Sequence, residues 1–262
     1  MIRYFIQMAY NGRDFHGWQI QPNADTVQER LNSAVTVLVN EDVNVNGAGR
    51  TDTGVHASFF VAHFDVAAEI DNLSAFVYKL NRILPSSIRI DTVFKVVNDM
   101  HARFNALSRT YHYFFSLEKS PFNDDFSVFM PFDLDVEKMN EAAKILFRHT
   151  DFTSFSKLHT DVKTNNCTIY KAHWIQNDAS LVFEIEADRF LRNMVRALVG
   201  TLVMVGNGKI STADFEQIIL QKDRGKAGAS AKAKGLFLTH ISYPETVSRH
   251  LVSMPFWGTI TT

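Results

Sequence analysis

The sequence predicts an α/β (α+β) protein made of two halves, and three observations predict it. Segments rich in β-branched and aromatic residues alternate with segments whose apolar residues recur at helical spacing. The chain has 262 residues, 46% of them apolar, enough for two modest domains that each bury a core. An acidic stretch at residues 118–141, with seven acids against two lysines, divides the chain near its middle. The expected halves are residues 1–117 and 118–262.

Residues 2–10 read as a strand. Asp25-Thr26 can cap a helix whose apolar positions Val27, Leu31, Ala34, Val35 and Leu38 form one stripe. Polar loop chemistry fills residues 44–54. A strand is expected at 58–66 and a helix at 73–84, stopped by Pro85. Strands return at 88–97 and 109–117, and the half is read as the ferredoxin-like order β-α-β-β-α-β. In the second round Asp133 or Asp135 starts a helix at 136–147, and strands follow at 168–176 and 181–187. A helix at 190–205, a shorter one from Ser211 and a last strand at 235–243 complete it. No sequence identity links the halves, so any repeat is structural.

Composition excludes several classes of function. Twenty-seven basic against 28 acidic side chains leave a net charge of −1, so no overall positive field attracts a polyanion. The single cysteine, Cys167, forbids an intrachain disulfide and fits a reducing compartment. The N-terminus lacks the pattern of a secretory signal. The longest apolar stretch, near residues 195–205, is interrupted by Arg196 and falls short of the roughly 20 residues of a membrane span. A soluble, cytoplasmic protein is expected.

The most unusual segment is Gly47-Ala48-Gly49-Arg50-Thr51-Asp52-Thr53-Gly54-Val55-His56-Ala57. Glycines here permit tight turns and close backbone approach. An ordinary polar hairpin explains the same composition. Asp52-Thr53-Gly54 also matches the short aspartic-protease triplet, but that chemistry needs two aspartates sharing a proton, and the chain carries one triplet. An arginine two residues away also favours an ionised carboxylate over a shared proton.

The loop and the rest of the chain together resemble the tRNA pseudouridine synthase A family. Residues 49–57 are similar to its catalytic-aspartate motif. Tyr10-Asn11-Gly12 with Phe15-His16-Gly17-Trp18-Gln19-Ile20-Gln21 resembles its opening motif, and Thr26-Val27-Gln28 its first helix start. Lys79-Leu80-Asn81-Arg82-Ile83-Leu84-Pro85, His101-Ala102-Arg103-Phe104 and Arg109-Thr110-Tyr111-His112-Tyr113 follow in order. Phe190-Leu191-Arg192-Asn193-Met194-Val195-Arg196 and Ala231-Lys232-Ala233-Lys234-Gly235-Leu236-Phe237-Leu238 complete the series. Asn11 and Arg13 depart from the usual Asp and Thr, a difference of local turn detail.

The resemblance implies two ferredoxin-like halves forming a pseudouridine synthase core with a central RNA-binding cleft. It implies conversion of uridine to pseudouridine at positions 38, 39 and 40 of the tRNA anticodon stem-loop, by a homodimer without cofactor or metal. By the same resemblance Asp52 is the nucleophile, Tyr111 stacks on the target base and Arg196 pairs with the aspartate. Arg50 helps extrude the target nucleotide, and Leu236 lines the pocket.

The residues agree with that chemistry. A buried carboxylate is costly unless paired, and a guanidinium beside it keeps it charged. Arg196 stands among Met194, Val195, Leu198, Val199 and Leu202 on an inward-facing helix, although a snorkelling surface arginine fits the same position. Tyr111 offers a flat face, worth about 1–3 kcal/mol per stacked base. It alternates with Tyr113 and Phe115, so it is equally the wet end of a core row. Ten histidines and the lone cysteine show no metal-ligand spacing and no nucleophile pairing. The basic run Lys222, Arg224, Lys226, Lys232 and Lys234 is either a solvated loop or a phosphate contact, with Arg189, Arg192 and Lys209 as further candidates. A non-catalytic RNA-binding module remains the alternative of a different class; such a module tolerates loss of Asp52.

Overall fold

The computed structural model describes residues 1–157 and 164–253. The chain divides into two compact units. One comprises residues 1–107 with 238–262, the other 108–237. The chain thus passes between units at Leu107–Ser108 and again at Phe237–Leu238, and the acidic stretch 118–141 folds inside the second unit.

In the first unit β1 (Ile2–Tyr10) is followed by α1 (Val27–Val39), the two-residue β2 (Asn46–Gly47), β3 (His56–Val66), α2 (Leu73–Ile83) and β4 (Ile88–Val96). The strand missing from the residue pattern is β2, which lies inside the segment read as polar loop. Two residues are too few to carry an alternation. β1 lies between β4 and β3, antiparallel to both, and β2 pairs with the far side of β3. Thr26 caps α1 by accepting from the Glu29 N–H, and of the expected stripe Val27, Leu31, Ala34 and Val35 are buried while Leu38 is half-buried. Asn72 caps α2, which ends at Ile83 ahead of Pro85.

One face of this sheet carries Tyr4, Ile6, Met8, Phe60 and Phe64, all fully buried. The opposite face carries Arg3, Phe5, Gln7, His63 and Asp65, and residues 243–252 cover it. Tyr243 meets Phe5 edge-on at 5.9 Å, and His250 stacks on Phe94 at 5.0 Å. The Gln7 amide donates to the Val252 carbonyl at 2.7 Å and accepts from its N–H at 2.8 Å.

The second unit contains β5 (Ser108–Ser116), β6 (Val128–Phe129), α3 (Val136–Ile145), β7 (Ile169–Gln176), β8 (Ser180–Ala187), α4 (Met194–Gly206) and α5 (Thr212–Gln221). β8 lies between β5 and β7, antiparallel to both, and β6 adds a short parallel edge to β5. Asp135, not Asp133, caps α3 by accepting from the Lys138 N–H. Ser211 and Asp214 form a reciprocal capping box on α5. The helix expected from residue 190 starts instead at Met194. Asn193 adopts a left-handed backbone (φ 66°), which a continuous helix excludes, so Arg189 and Arg192 stand on the turn before it. β9 (Leu236–Ser242) carries the chain back to the first unit, where it lies beside β3, and the short helix α6 (Glu245–Ser248) follows. Among the described residues no helix is long and apolar enough to cross a membrane.

Candidate active site

The Asp52 loop connects β2 to β3, and the segment 10–18 holds it in shape. The Tyr10 hydroxyl and the Thr51 hydroxyl share a buried hydrogen bond of 2.9 Å. The Trp18 N–H donates to the Thr51 carbonyl, and the Gly54 N–H donates to the Phe15 carbonyl. Within the loop the Val55 N–H donates to the Asp52 carbonyl, closing a turn around the aspartate. His56, buried at the start of β3, accepts the Gly12 N–H on Nδ1 at 3.1 Å. That bond fixes the neutral tautomer with its proton on Nε2.

Two glycines make this packing possible. A Cβ on Gly17, whose φ is +90°, would lie 2.4 Å from the Thr51 carbonyl oxygen, and one on Gly12 would lie 2.0 Å from that of Val55. No side chain fits at either position without moving the loop. Below the loop Trp18 stacks on Phe60 at 4.3 Å and Tyr10 meets Phe60 edge-on, a rigid aromatic floor. Asp52 itself is half-buried, and Arg50 two residues before it is exposed. Residue pattern identified both motifs but not that one clamps the other. The signal lay in Gly12 and Gly17, glycines that no turn between adjacent core strands explains.

In the second unit Tyr111, Tyr113 and Phe115 share one face of β5, and their burial increases inward. Tyr113 and Phe115 are buried, while Tyr111 is half-exposed with Phe190 edge-on against it at 5.1 Å. The Tyr113 hydroxyl donates to the Lys232 carbonyl at 2.8 Å. Burial raises the Tyr113 phenol above its ordinary value, and the positive charge of Arg196 opposes that rise. Arg196, in the first turn of α4, donates from Nε to the Ala231 carbonyl at 2.7 Å, and its own carbonyl accepts the Ala231 N–H. Half-buried and tied at the backbone, this arginine is not a snorkelling surface residue.

The same bonds anchor the basic loop to α4. The Gly228 N–H donates to the Thr201 hydroxyl, and the Asn193 amide donates to Ser230 Oγ at 2.6 Å. Arg224 is spent inside the loop, on the Ser230 hydroxyl and the Gly228 carbonyl. Lys222 pairs with Asp151 and Lys234 with Asp124, each at 2.8 Å. Lys226, Lys232, Lys209 and Arg192 are exposed, and Arg189 is half-buried. Leu236, buried, opens β9 directly after the loop. Cys167 is buried, and burial pushes its thiol up to about 12, so it carries no thiolate at neutral pH.

The arrangement is a clamped aspartate loop in one unit and, in the other, a tyrosine at the wet end of an aromatic row with a backbone-tied arginine. The family model described as tRNA pseudouridine synthase matches residues 6–105 and 142–244, which include Asp52 and Arg196. Curated relatives named tRNA pseudouridine synthase A extend the likeness along the chain. The protein from Parabacteroides distasonis is 53% identical over 245 residues, covering 94% of this chain and 97% of its own length. That from Bacteroides fragilis is 53% identical, with 94% and 98% covered. A more distant one from Francisella tularensis subsp. novicida is 38% identical, with 94% and 95% covered. Similarity of this extent, over the segments that build the clamp and the arginine helix, means that the chain belongs to the tRNA pseudouridine synthase family.

Proposed function

We propose that the protein converts uridine to pseudouridine in tRNA, at positions 38, 39 and 40 of the anticodon stem-loop. Asp52 is the nucleophile, Arg196 its ion-pair partner and Tyr111 the stacking face for the target base. Arg50 assists extrusion of the nucleotide and Leu236 lines the pocket. The enzyme works as a cytoplasmic homodimer. The observation that carries this reading is the clamp. A half-buried aspartate is held on a loop whose backbone is fixed by Gly12, Gly17, Thr51 and His56, as a group that must meet one reacting atom requires.

The reaction is an isomerisation. The bond between uracil N1 and ribose C1′ breaks, and a bond between C5 and C1′ forms. A proton leaves C5 and one is gained at N1, so nothing is oxidised or reduced and no redox cofactor is called for. The target base must leave its stack at a cost of about a few kcal/mol, which the aromatic face offsets in part. Lys226, Lys232, Lys234, Arg189 and Arg192 supply phosphate contacts, of which Lys234 must first leave Asp124.

Incubation with unmodified tRNA, followed by carbodiimide treatment and primer extension, tests the reading. The wild-type protein should give stops in the anticodon arm without added cofactor, and Asp52→Ala should give none. Arg196→Met should abolish turnover while tRNA is still bound. Product from Asp52→Ala would remove the aspartate from its role, and absence of product from wild type would remove the function.

A further inference from the structure

We infer that His101 and Phe104, with Arg103 beside them, form a second RNA contact on the first unit, a preformed platform on which an unpaired base of the tRNA stacks. The inference rests on the reading of tRNA as substrate and adds to it a binding site remote in sequence from the Asp52 loop.

The site is a column of rings that starts in the core and ends in solvent. His63, buried in β3, lies 4.4 Å from His101, and His101 lies 4.3 Å from Phe104. Phe104 is 76% exposed, an unusual position for a phenylalanine that has a stacking partner. The Arg103 guanidinium lies over the Phe104 ring, 5.8 Å from its centre, and so places a positive charge beside the ring where a base and its phosphate would arrive.

The turn that presents these rings is tightly fixed. The Arg103 N–H donates to His101 Nδ1 at 3.0 Å, and the Ala102 N–H donates to His63 Nδ1 at 3.2 Å. Asn105 accepts the His101 N–H on its side chain and returns its own N–H to the His101 carbonyl. The Tyr243 hydroxyl holds the Ala102 carbonyl from the far side. Both imidazoles accept at Nδ1 and are therefore neutral, so the column presents π faces and not a second cation. A binding surface already ordered loses little entropy on association. An aromatic face flanked by one guanidinium suits a nucleobase next to its phosphate, and stacking of this kind does not depend on base identity.

The test is tRNA affinity at fixed ionic strength for the full-length wild type, Phe104→Leu and Phe104→Trp. Leucine keeps the apolar contact and loses the ring, and should weaken binding by about 5- to 150-fold, the range for one stacked base. Tryptophan should restore affinity, and its added fluorescence should be quenched by tRNA. A blunt RNA duplex, which offers no unpaired base, should bind wild type and Phe104→Leu alike. Equal tRNA affinity for Phe104→Leu and wild type would overturn the inference. So would a loss that coincides with a changed sedimentation coefficient, because the ring would then belong to a contact between protein copies. Formation of pseudouridine by wild type in the same preparation separates failure of the platform from failure of the proposed activity.

Discussion

The two units contain sheets of similar build, and each has a second face with a different fate. In the first unit that face carries Arg3, Gln7, His63 and Asp65, and each finds partners within the protein, Arg3 both Asp65 and the Met100 carbonyl. Arg3 makes a two-pronged bond to Asp65, at 2.7 Å on both sides, Gln7 binds the Val252 backbone, and His63 takes the Ala102 N–H. In the second unit the register places His112 opposite Glu184 and Glu184 opposite His173. Glu184 is shared among Lys171 at 2.8 Å, His173 at 3.4 Å and His112 at 3.9 Å. The covered face satisfies its polar groups within the protein, because a buried orphan costs about 1–3 kcal/mol. The face in the second unit shares one well-buried carboxylate, 14% exposed, among three bases that are 24–48% exposed and so reach water as well.

The largest effect expected from this contrast is pH dependence in the first unit. Burial holds His63 down to about 4, with the nearby His101 and Arg3 adding to it. The unfolded chain binds this proton near pH 6.5 and the native one only near pH 4. The stability contributed by neutral His63 is therefore complete above pH 6.5 and is lost as pH falls through that window, by about 3 kcal/mol at the limit. Urea unfolding at pH 7 and pH 4.5 should show this loss, and His63→Gln should reduce it. A pH-independent difference between the two proteins would mean that the proton is not linked to folding.

Gln7→Leu should follow in size. It deprives the Val252 N–H and carbonyl of their side-chain partner and should cost about 2 kcal/mol, with earlier proteolysis beyond residue 245 than in wild type. Unchanged cleavage kinetics would show that the C-terminal cover is held by its aromatic contacts alone.

The smallest effect belongs to the second unit. Glu184→Gln should alter stability by no more than about 1 kcal/mol, in the range of partly exposed ion pairs. Its clearer consequence is on the histidines. Burial already lowers His112 and His173, and Glu184 opposes that lowering, so the variant should titrate both at still lower pH by NMR. An unchanged titration would show that the carboxylate does not act on these histidines.

Residue pattern predicted most elements within about two residues where a single stripe or alternation decided them, as in α1, α2, β1 and β8. It failed where the deciding interaction is tertiary. β2 is too short for a period, and α4 begins late because Asn193 takes a left-handed backbone. Among the candidate residues the pattern located Asp52 on a loop and Tyr111 at the wet end of its row. It did not locate the clamp of Gly12, Gly17 and His56, whose partners lie some 30 to 45 residues away. Nor did it separate Lys234, already paired with Asp124, from Lys226 and Lys232, because an ion pair depends on distances that composition does not carry.

What the sequence by itself determined is the mixed α/β class, the burial of the α1 stripe and the family, since local periodicity and ordered motifs are properties of the chain alone. What only the tertiary structure decided is which polar groups are spent and which are left to act. The near-neutral charge of the chain is the clearest case. Arg3, Arg224, Lys222 and Lys234 are engaged within the protein, whereas Arg50, Lys226 and Lys232 are exposed. A charge count weighs these residues equally, but a carboxylate, carbonyl or hydroxyl at hydrogen-bond distance spends some of them, and only the fold sets that distance.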